Sequence, residues 1–159
     1  MGATFSTPPN RLAKRVGVKG VSRSSAIEQA EANIVSMRDD GLAYIDQNLE
    51  ILNATFAAPP SDPAKAVEAF YDASNSIAGT AALFGNAALG SAAYSLCQLL
   101  SYADPAVGWN QAAVKAHLDG MQMLRRFGEG GNNEAAKVIL DNLARLLAHL
   151  SPRVESTPH

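Results

Sequence analysis

Few side chains in this sequence have the chemistry of a nucleophile, a general base or a metal ligand. The chain has three histidines, His117, His149 and His159, and one cysteine, Cys97. An imidazole could accept a phosphoryl group or a proton, and a thiolate could act as a nucleophile. Cys97 lies in the apolar stretch SLCQLL, which indicates a small buried hydrophobic residue. Because the histidines are not clustered with cysteines or carboxylates, we expect no metal site and no cofactor.

A second candidate for function is a patch of small residues within the stretch SNSIAGTAALFG, residues 74–85. Gly79 lies inside a helical pattern there, although a glycine inside a helix costs about 1 kcal/mol relative to alanine. Helical spacing predicts an inward side made of Val67, Phe70, Ile77 and Ala81. It predicts an outward face made of Glu68, Tyr71, Asp72, Asn75, Ala78, Gly79 and Ala82. Small side chains on that face would let a partner approach closely, or would instead pack against a neighbouring helix of the same molecule.

The elements that carry these residues all have helical periodicity. A first helix is predicted from Ser24 and Ser25, which are suitable N-caps, to the APPSDP segment at 58–63. The DDG sequence at 39–41 leaves open whether this is one straight helix or a kinked or divided one. The apolar positions that define it are Ile27, Ala30, Ile34, Met37, Leu42, Ile45, Leu49, Leu52 and Phe56.

Four further helices follow this first one. Asp62 as N-cap and Pro63 in the first turn predict the start of the second, which reaches about Leu83. The FGN sequence forms the turn that follows it, and the remaining helices are expected at about 87–102, 111–127 and 134–150. The apolar side of the last one is predicted to be Val138, Leu140, Leu143, Leu146, Leu147 and Leu150. No strand pattern competes, so the sequence predicts an all-α, up-and-down helical bundle.

Length and composition limit the organisation and the classes of partner. The 159 residues suit one domain, which we place at residues 24–151 between a basic N-terminal tail, 1–23, and a short C-terminal tail, 152–159. The net charge of −2 does not favour general binding to nucleic acid. We find neither a signal region nor an apolar run of membrane-spanning length, so we expect a cytoplasmic protein without membrane contact.

The stretch SNSIAGTAALFGNAALGSAAYSLCQLL resembles the signature of histidine phosphotransfer (HPt) domains of bacterial phosphorelays. That signature is roughly H-x-[LI]-K-G followed by small residues, an [LF]-G turn and a helix with an L-C-x-x-[LI] segment. The likeness extends over most of the chain from about residue 15, including RVGVKG and AHLDGM. The resemblance implies a four-helix HPt-like core with an additional flanking helix, and a role in two-component signal transduction.

The sequence departs from the family at the residue that carries the chemistry. Asn75 stands where the family has its phosphoacceptor histidine, and Ala78 stands where it has a lysine, whereas Ile77 and Gly79 agree with the pattern. A carboxamide nitrogen is delocalised into its carbonyl group and cannot form a phosphoramidate. The resemblance therefore implies a non-enzymatic binding module for a response-regulator receiver domain or a histidine kinase, with the outward face as its docking surface.

Two alternatives to this function stay open at the level of sequence. The protein could be an active phosphocarrier through a non-standard residue such as His117 or another nucleophile, although for His117 a structural histidine that hydrogen-bonds within the bundle is the preferred interpretation. The Ala and Gly face could instead pack against itself in a structural scaffold, so the sequence leaves monomer or dimer undecided. Separately, Trp109 is expected to wedge its loop onto the bundle rather than to form an exposed contact.

Overall fold

The structure, a computed structural model, describes residues 22–104, 108–128 and 133–151. The helices are α1 (Arg23–Ala57), α2 (Pro63–Ala81), α3 (Ala87–Ser101), α4 (Gln111–Phe127) and α5 (Asn133–Leu150), and a 3-10 turn covers Ala82–Phe84. No β-strand occurs in the three described ranges. The predicted all-α helical bundle is therefore confirmed.

The chain divides into two units, residues 1–37 and residues 38–159. The first unit contributes residues 22–37 to the described structure, and from Arg23 onward these are helical. Of the two predicted tails, residues 1–21 and 152–159 lie outside the described residues. Arg23, which the sequence had placed in the N-terminal tail, is the first residue of α1.

The apolar residues at the beginning of α1 are not part of a core. Ile27, Ile34 and Met37 are all exposed. Their helical spacing correctly predicts a helix. Periodicity alone does not indicate which apolar residues of a long helix pack against other elements. The DDG sequence at 39–41 neither ends nor divides α1.

The second unit is built around α3, which packs against α2, α4 and α5. This helix is rich in small buried residues, including Gly90, Ala92 and Ala93, and these let its neighbours approach closely. The part of α1 within this unit adds Ile45 and Leu52 to the same core. Large, fully buried apolar side chains also include Phe70, Ile77, Leu89, Leu96, Val114, Met121 and Leu124.

The start of α2 follows the local signals in the sequence. The carboxylate of Asp62 accepts a hydrogen bond from the backbone N–H of Ala64 at 3.0 Å. Pro63 takes the first helical position. A backbone N–H at this position has no partner within the helix, so the missing N–H of proline costs no hydrogen bond. Both features were predicted, and they fix where α2 begins.

The turn between α2 and α3 is held by Gly85 and Asn86. Gly85 has φ +81°, a left-handed conformation that glycine adopts without strain. The side chain of Asn86 caps α3 by accepting from the N–H of Leu89 at 3.1 Å, and its amide donates to the carbonyl of Leu124 in α4, also at 3.1 Å. One buried asparagine thus both starts α3 and ties it to α4.

The packing of α5 differs in part from the prediction. Leu143 is buried, and the remaining leucines named above are half-buried against the core. Val138, however, is exposed at 57% of its surface. It lies one residue before Ile139, which does pack on the core, so the prediction that Val138 belongs to the apolar side of the helix is wrong.

Polar contacts join α1 to α4 within the second unit. The guanidinium of Arg125 donates two hydrogen bonds to the Asp46 carboxylate, at 2.7 and 2.9 Å. Nearby, the amide of Gln122 donates to the side-chain oxygen of Asn53 at 2.8 Å. These contacts connect the part of α1 in the second unit to α4 at two points.

Candidate docking surface

The structure brings the predicted outward residues of α2 together on one exposed face. We call this set, Glu68, Tyr71, Asp72, Asn75, Ala78, Gly79 and Ala82, the docking face. All of these residues are exposed except Ala78, which is half-buried. This face points away from the core because the opposite side of the helix packs inward, where Phe70, Ile77 and Ala81 are completely buried.

Ser74 shows how the buried side of α2 tolerates a polar residue next to Asn75. Its side chain is fully buried, and its hydroxyl donates to the carbonyl of Phe70 at 2.7 Å. The hydroxyl is thereby satisfied within the helix and needs no partner from another element. Ser74 thus faces the core, whereas the next residue, Asn75, is exposed to solvent.

Gly79 is not required by packing within the molecule. A Cβ added to Gly79 would meet no heavy atom within 4 Å, so the position opens onto free space. The close helix contact is made elsewhere: a Cβ on Gly90 of α3 would stand 3.4 Å from the Ala78 carbonyl oxygen and 3.7 Å from the Cβ of Ala81. The small residues of α2 therefore divide into an inner side that α3 contacts and an outer side that remains open.

The charge of the docking face does not suit a phosphoryl group. Glu68 and Asp72 contribute two exposed carboxylates. No member of the face carries a positive charge, since alanine occupies position 78. The carboxamide of Asn75 can donate and accept hydrogen bonds but is not a nucleophile. The face therefore presents two carboxylates and a carboxamide among small side chains, and none of its members is a cation that could pair with a phosphoryl group.

Leu83 extends the docking face and was missed by the sequence analysis. It is 79% exposed, in the 3-10 turn directly after α2. The signal was present in the spacing, because Leu83 follows Gly79 by four residues and Asn75 by eight. Together with Tyr71, which is 44% exposed, Leu83 provides a large apolar group at each end of a stretch of small side chains.

His117 is a buried structural histidine, as preferred from the sequence. Its Nδ1 lies 2.8 Å from the carbonyl oxygen of Ala113, and its Nε2 lies 3.0 Å from the Ser95 hydroxyl. A carbonyl only accepts, so Nδ1 carries the proton and Nε2 accepts from Ser95 in the neutral ring. Burial lowers the pKa of His117, although the bond to Ala113 acts in the opposite direction.

The environment of Cys97 agrees with its interpretation as a small hydrophobic residue. It is buried in α3, and burial raises the pKa of its thiol to about 11. A backbone hydrogen bond lowers the pKa, but by less than burial raises it. At neutral pH the side chain therefore stays a thiol, which is a poor nucleophile.

The side chain of Trp109 packs against the bundle, as predicted. Its ring packs edge-on against Phe70, with the ring centroids 4.8 Å apart. Its indole Nε1 is buried and has no hydrogen-bond partner. The residue therefore holds the segment before α4 against the beginning of α2.

The described ranges contain no group of three or more His, Cys, Asp or Glu side chains placed to ligate a metal ion. No helix within those ranges has both the length and the hydrophobicity that crossing a membrane requires.

Comparison with known protein families, with curated proteins and with solved structures found no match.

Proposed function

We propose that this protein is an HPt-like binding module of a two-component phosphorelay, located in the cytoplasm. In this role it docks a response-regulator receiver domain or a histidine kinase through the docking face and carries no phosphoryl group itself. The observation that carries the proposal is Asn75, an exposed carboxamide at the motif position of the phosphoacceptor, on a face of small side chains.

The openness of Gly79 supports a docking role. A glycine in a helix lowers stability, and here no contact within the molecule needs it, because the space above it is empty. A partner helix or loop could approach the α2 backbone at this point. Tyr71 and Leu83, both exposed, would provide the apolar contacts on either side.

Competition is the mechanism that follows from binding without transfer. A receiver domain held by this protein has its docking surface covered and cannot receive a phosphoryl group from an active donor. The extent of inhibition depends on the ratio of the free concentration of this protein to the dissociation constant. Transient signalling contacts are often small, so a weak affinity is compatible with this role.

The alternative of phosphate transfer through His117 has little structural support. The ring is fully buried, and both of its nitrogens are engaged by Ala113 and Ser95. Phosphorylation would require the bundle to open around it. An acid-labile phosphoryl label that disappears in His117→Ala would nevertheless establish this activity and contradict the proposal.

The alternative of a scaffold that associates through the Ala and Gly face uses the same surface. Only the inner part of that surface, around Ala78 and Ala81, is occupied by α3. Gly79 and Ala82 stay exposed and could contact a second copy as well as a receiver domain. The two proposals therefore need an experiment that separates them.

The test is a titration of isotope-labelled protein with receiver domains and with histidine kinases from the same organism, followed by backbone NMR. We expect shifts concentrated at residues 68–83, and their loss in Gly79→Leu, whose side chain would fill the open space. Gly79→Ala controls for the loss of glycine, and Ala148→Leu, at an exposed site on α5, controls for added bulk. Shifts that depend on the concentration of this protein alone would favour the scaffold, and no shift with any receiver domain or kinase would contradict docking.

A further inference from the structure

A groove between α3 and α5 contains none of the residues of the docking face. Its α5 wall includes Leu140, Leu143 and Leu147, and its α3 wall includes the polar residues Ser95 and Gln98. The volume of this groove is about 220 Å³. Sites for drug-sized ligands occupy about 300–1,000 Å³, so the groove suits a short apolar group that lies next to polar side chains.

The hydroxyl of Ser95 differs in its hydrogen bonding from that of Ser91, one turn earlier in α3. Ser91 donates to the carbonyl of Ala87 at 3.0 Å, a common bond for a serine inside a helix. The Oγ of Ser95 instead lies 3.0 Å from Nε2 of His117 in α4. Both serines line the groove, but of the two only Ser95 has its hydroxyl directed at a base.

His117 is arranged to accept the hydroxyl proton of Ser95. Its Nδ1 donates to the carbonyl of Ala113 at 2.8 Å, so Nε2 of the neutral ring has a lone pair facing Ser95. A serine bonded to a histidine whose other nitrogen is held by a third group is the arrangement that activates serine nucleophiles. His117 is completely buried, whereas Ser95 is half-buried and lines the groove. A reagent in the groove therefore meets the hydroxyl and not the imidazole.

We propose that Ser95 accepts an acyl group from a thioester with a short apolar acyl chain, a function beyond the docking proposed above. The Oγ of Ser95 forms a bond to the thioester carbonyl carbon, and its proton passes to Nε2 of His117. The carbon–sulfur bond then breaks, and its electron pair leaves with the sulfur as a thiolate. The products are an oxygen ester at Ser95, an imidazolium at His117 and a thiolate, so atoms and charge balance.

The burial of His117 determines which acyl donors can react. Because the imidazole is completely buried and reaches Ser95 from inside the bundle, it is not placed to protonate a departing group in the groove. The departing group must therefore leave as a stable anion. A thiolate meets this condition, since the pKa of a free thiol is about 8.5. The nitrogen of an amide or the oxygen of an alkyl ester does not, so these substrates are excluded.

Gln98 is placed to stabilise the negative charge that develops on the carbonyl oxygen. It follows Ser95 by three residues, which puts both on the same side of α3, and it lines the groove. No hydrogen bond within the described part of the chain engages its side-chain amide. The amide can therefore donate to the oxyanion, which is the role of such donors in acyl transfer. The leucines of α5 would contact the acyl chain.

The test treats the full chain with the butyryl thioester of N-acetylcysteamine at neutral pH. Peptide mapping by mass spectrometry locates the butyryl group, and a colorimetric assay measures the released thiol. We expect acylation of Ser95 with an equal amount of thiol released. Ser95→Ala should lose this label. Ser91→Ala, in the same groove, is the matched control and should react at an unchanged rate.

Two further variants test the roles of His117 and Gln98. His117→Phe should slow the acylation of Ser95 about 100-fold or more, as expected for the loss of a general base. Gln98→Met keeps the size of a half-buried residue and should slow it about 100-fold by removing the donor to the oxyanion. Because it leaves the core intact, Gln98→Met tests the site even where replacing the buried histidine disturbs folding, which circular dichroism would reveal. Acylation of lysines alone, or an unchanged rate at Ser95 in either variant, would overturn the proposal and leave the bond between Ser95 and His117 a structural one.

Discussion

Gly90 of α3 lies against the main chain of Ala78 in α2, at a distance where an added Cβ would stand 3.4 Å from the carbonyl oxygen. A Cβ added to Gly79, the next residue of α2, would have no heavy atom within 4 Å. The two glycines, in adjoining helices, thus differ in their surroundings: a Cβ at position 90 would be in van der Waals contact with α2, whereas one at position 79 would contact nothing.

The first prediction follows from this contrast. Gly90→Leu should destabilise the fold by about 1–3 kcal/mol, because atoms beyond Cβ would have to overlap α2. Gly79→Leu should leave stability unchanged or slightly raised, since it adds a better helix former in open space. Urea denaturation of both variants measures the difference, and an equal loss of stability at the two sites would contradict it.

A second prediction concerns Gly41, where alanine should be harmful although it favours helices. A Cβ at Gly41 would collide with the aromatic ring of Phe84. Gly41→Ala should therefore cost about 1–3 kcal/mol, whereas Gly79→Ala, the same chemical change, should gain up to about 1 kcal/mol. Thermal unfolding provides the comparison, and the variant Gly41→Ala with Phe84→Leu should recover part of the loss. A stabilising Gly41→Ala would show that the ring moves aside freely.

The buried histidine predicts a pH dependence of stability. Burial lowers the pKa of His117 in the folded state below its ordinary value of 6.5, so the unfolded chain binds this proton more tightly. The free energy of unfolding should fall as pH decreases below 6.5, with a slope of at most about 1.4 kcal/mol per pH unit from this group.

The measurement for His117 is a series of denaturation curves between about pH 5 and 7, above the range where most carboxylates titrate. His117→Phe should remove this slope. His149→Gln, at an exposed histidine of α5, should keep it. A slope that survives in His117→Phe would assign the proton to another group.

Cys97 should resist thiol reagents while the protein is folded. The pKa of its thiol is raised to about 11 and the residue is buried, so both thiolate population and access are low. Alkylation followed by mass spectrometry at pH 8 should be slow in buffer and fast in denaturant. Fast labelling in buffer would reveal local opening of α3.

The ion pair between Asp46 and Arg125 should contribute little energy despite its two hydrogen bonds. The side chain of Asp46 is 51% exposed, so solvent and salt screen the attraction. A double-mutant cycle with Asp46→Asn and Arg125→Gln should give a coupling of about 0.2–1 kcal/mol that decreases with added salt. A coupling well above that range would mean that the pair determines how α1 packs on α4.

The starts of α2 and α3 were predictable because each is set by neighbouring residues. Asp62 and Pro63 define the beginning of α2, and the bond from the Leu89 N–H to the Asn86 side chain defines that of α3. These are local contacts between residues two or three positions apart, and residue types alone indicate them. The all-α fold followed from the same periodicity.

The exposure of apolar side chains was less predictable, because it depends on which other elements pack against each helix. Val138 and Ile34 match the helical pattern as well as any core residue, yet both are exposed. The role of Gly90 was hidden for the same reason, since its close neighbour Ala78 lies in another helix. The outward position of Asn75 followed from helical spacing, and the same spacing indicated Leu83, although Leu83 lies in the 3-10 turn after α2.

The separation of the docking face from the core has a consequence for evolution. The exposed side of α2 can change its residues with little effect on folding, because Gly79 touches nothing and the helix is held by its opposite side. Selection can therefore alter the residues of this surface independently of those that keep the chain folded. A fold divided in this way can acquire new partners by substitutions at a few exposed positions.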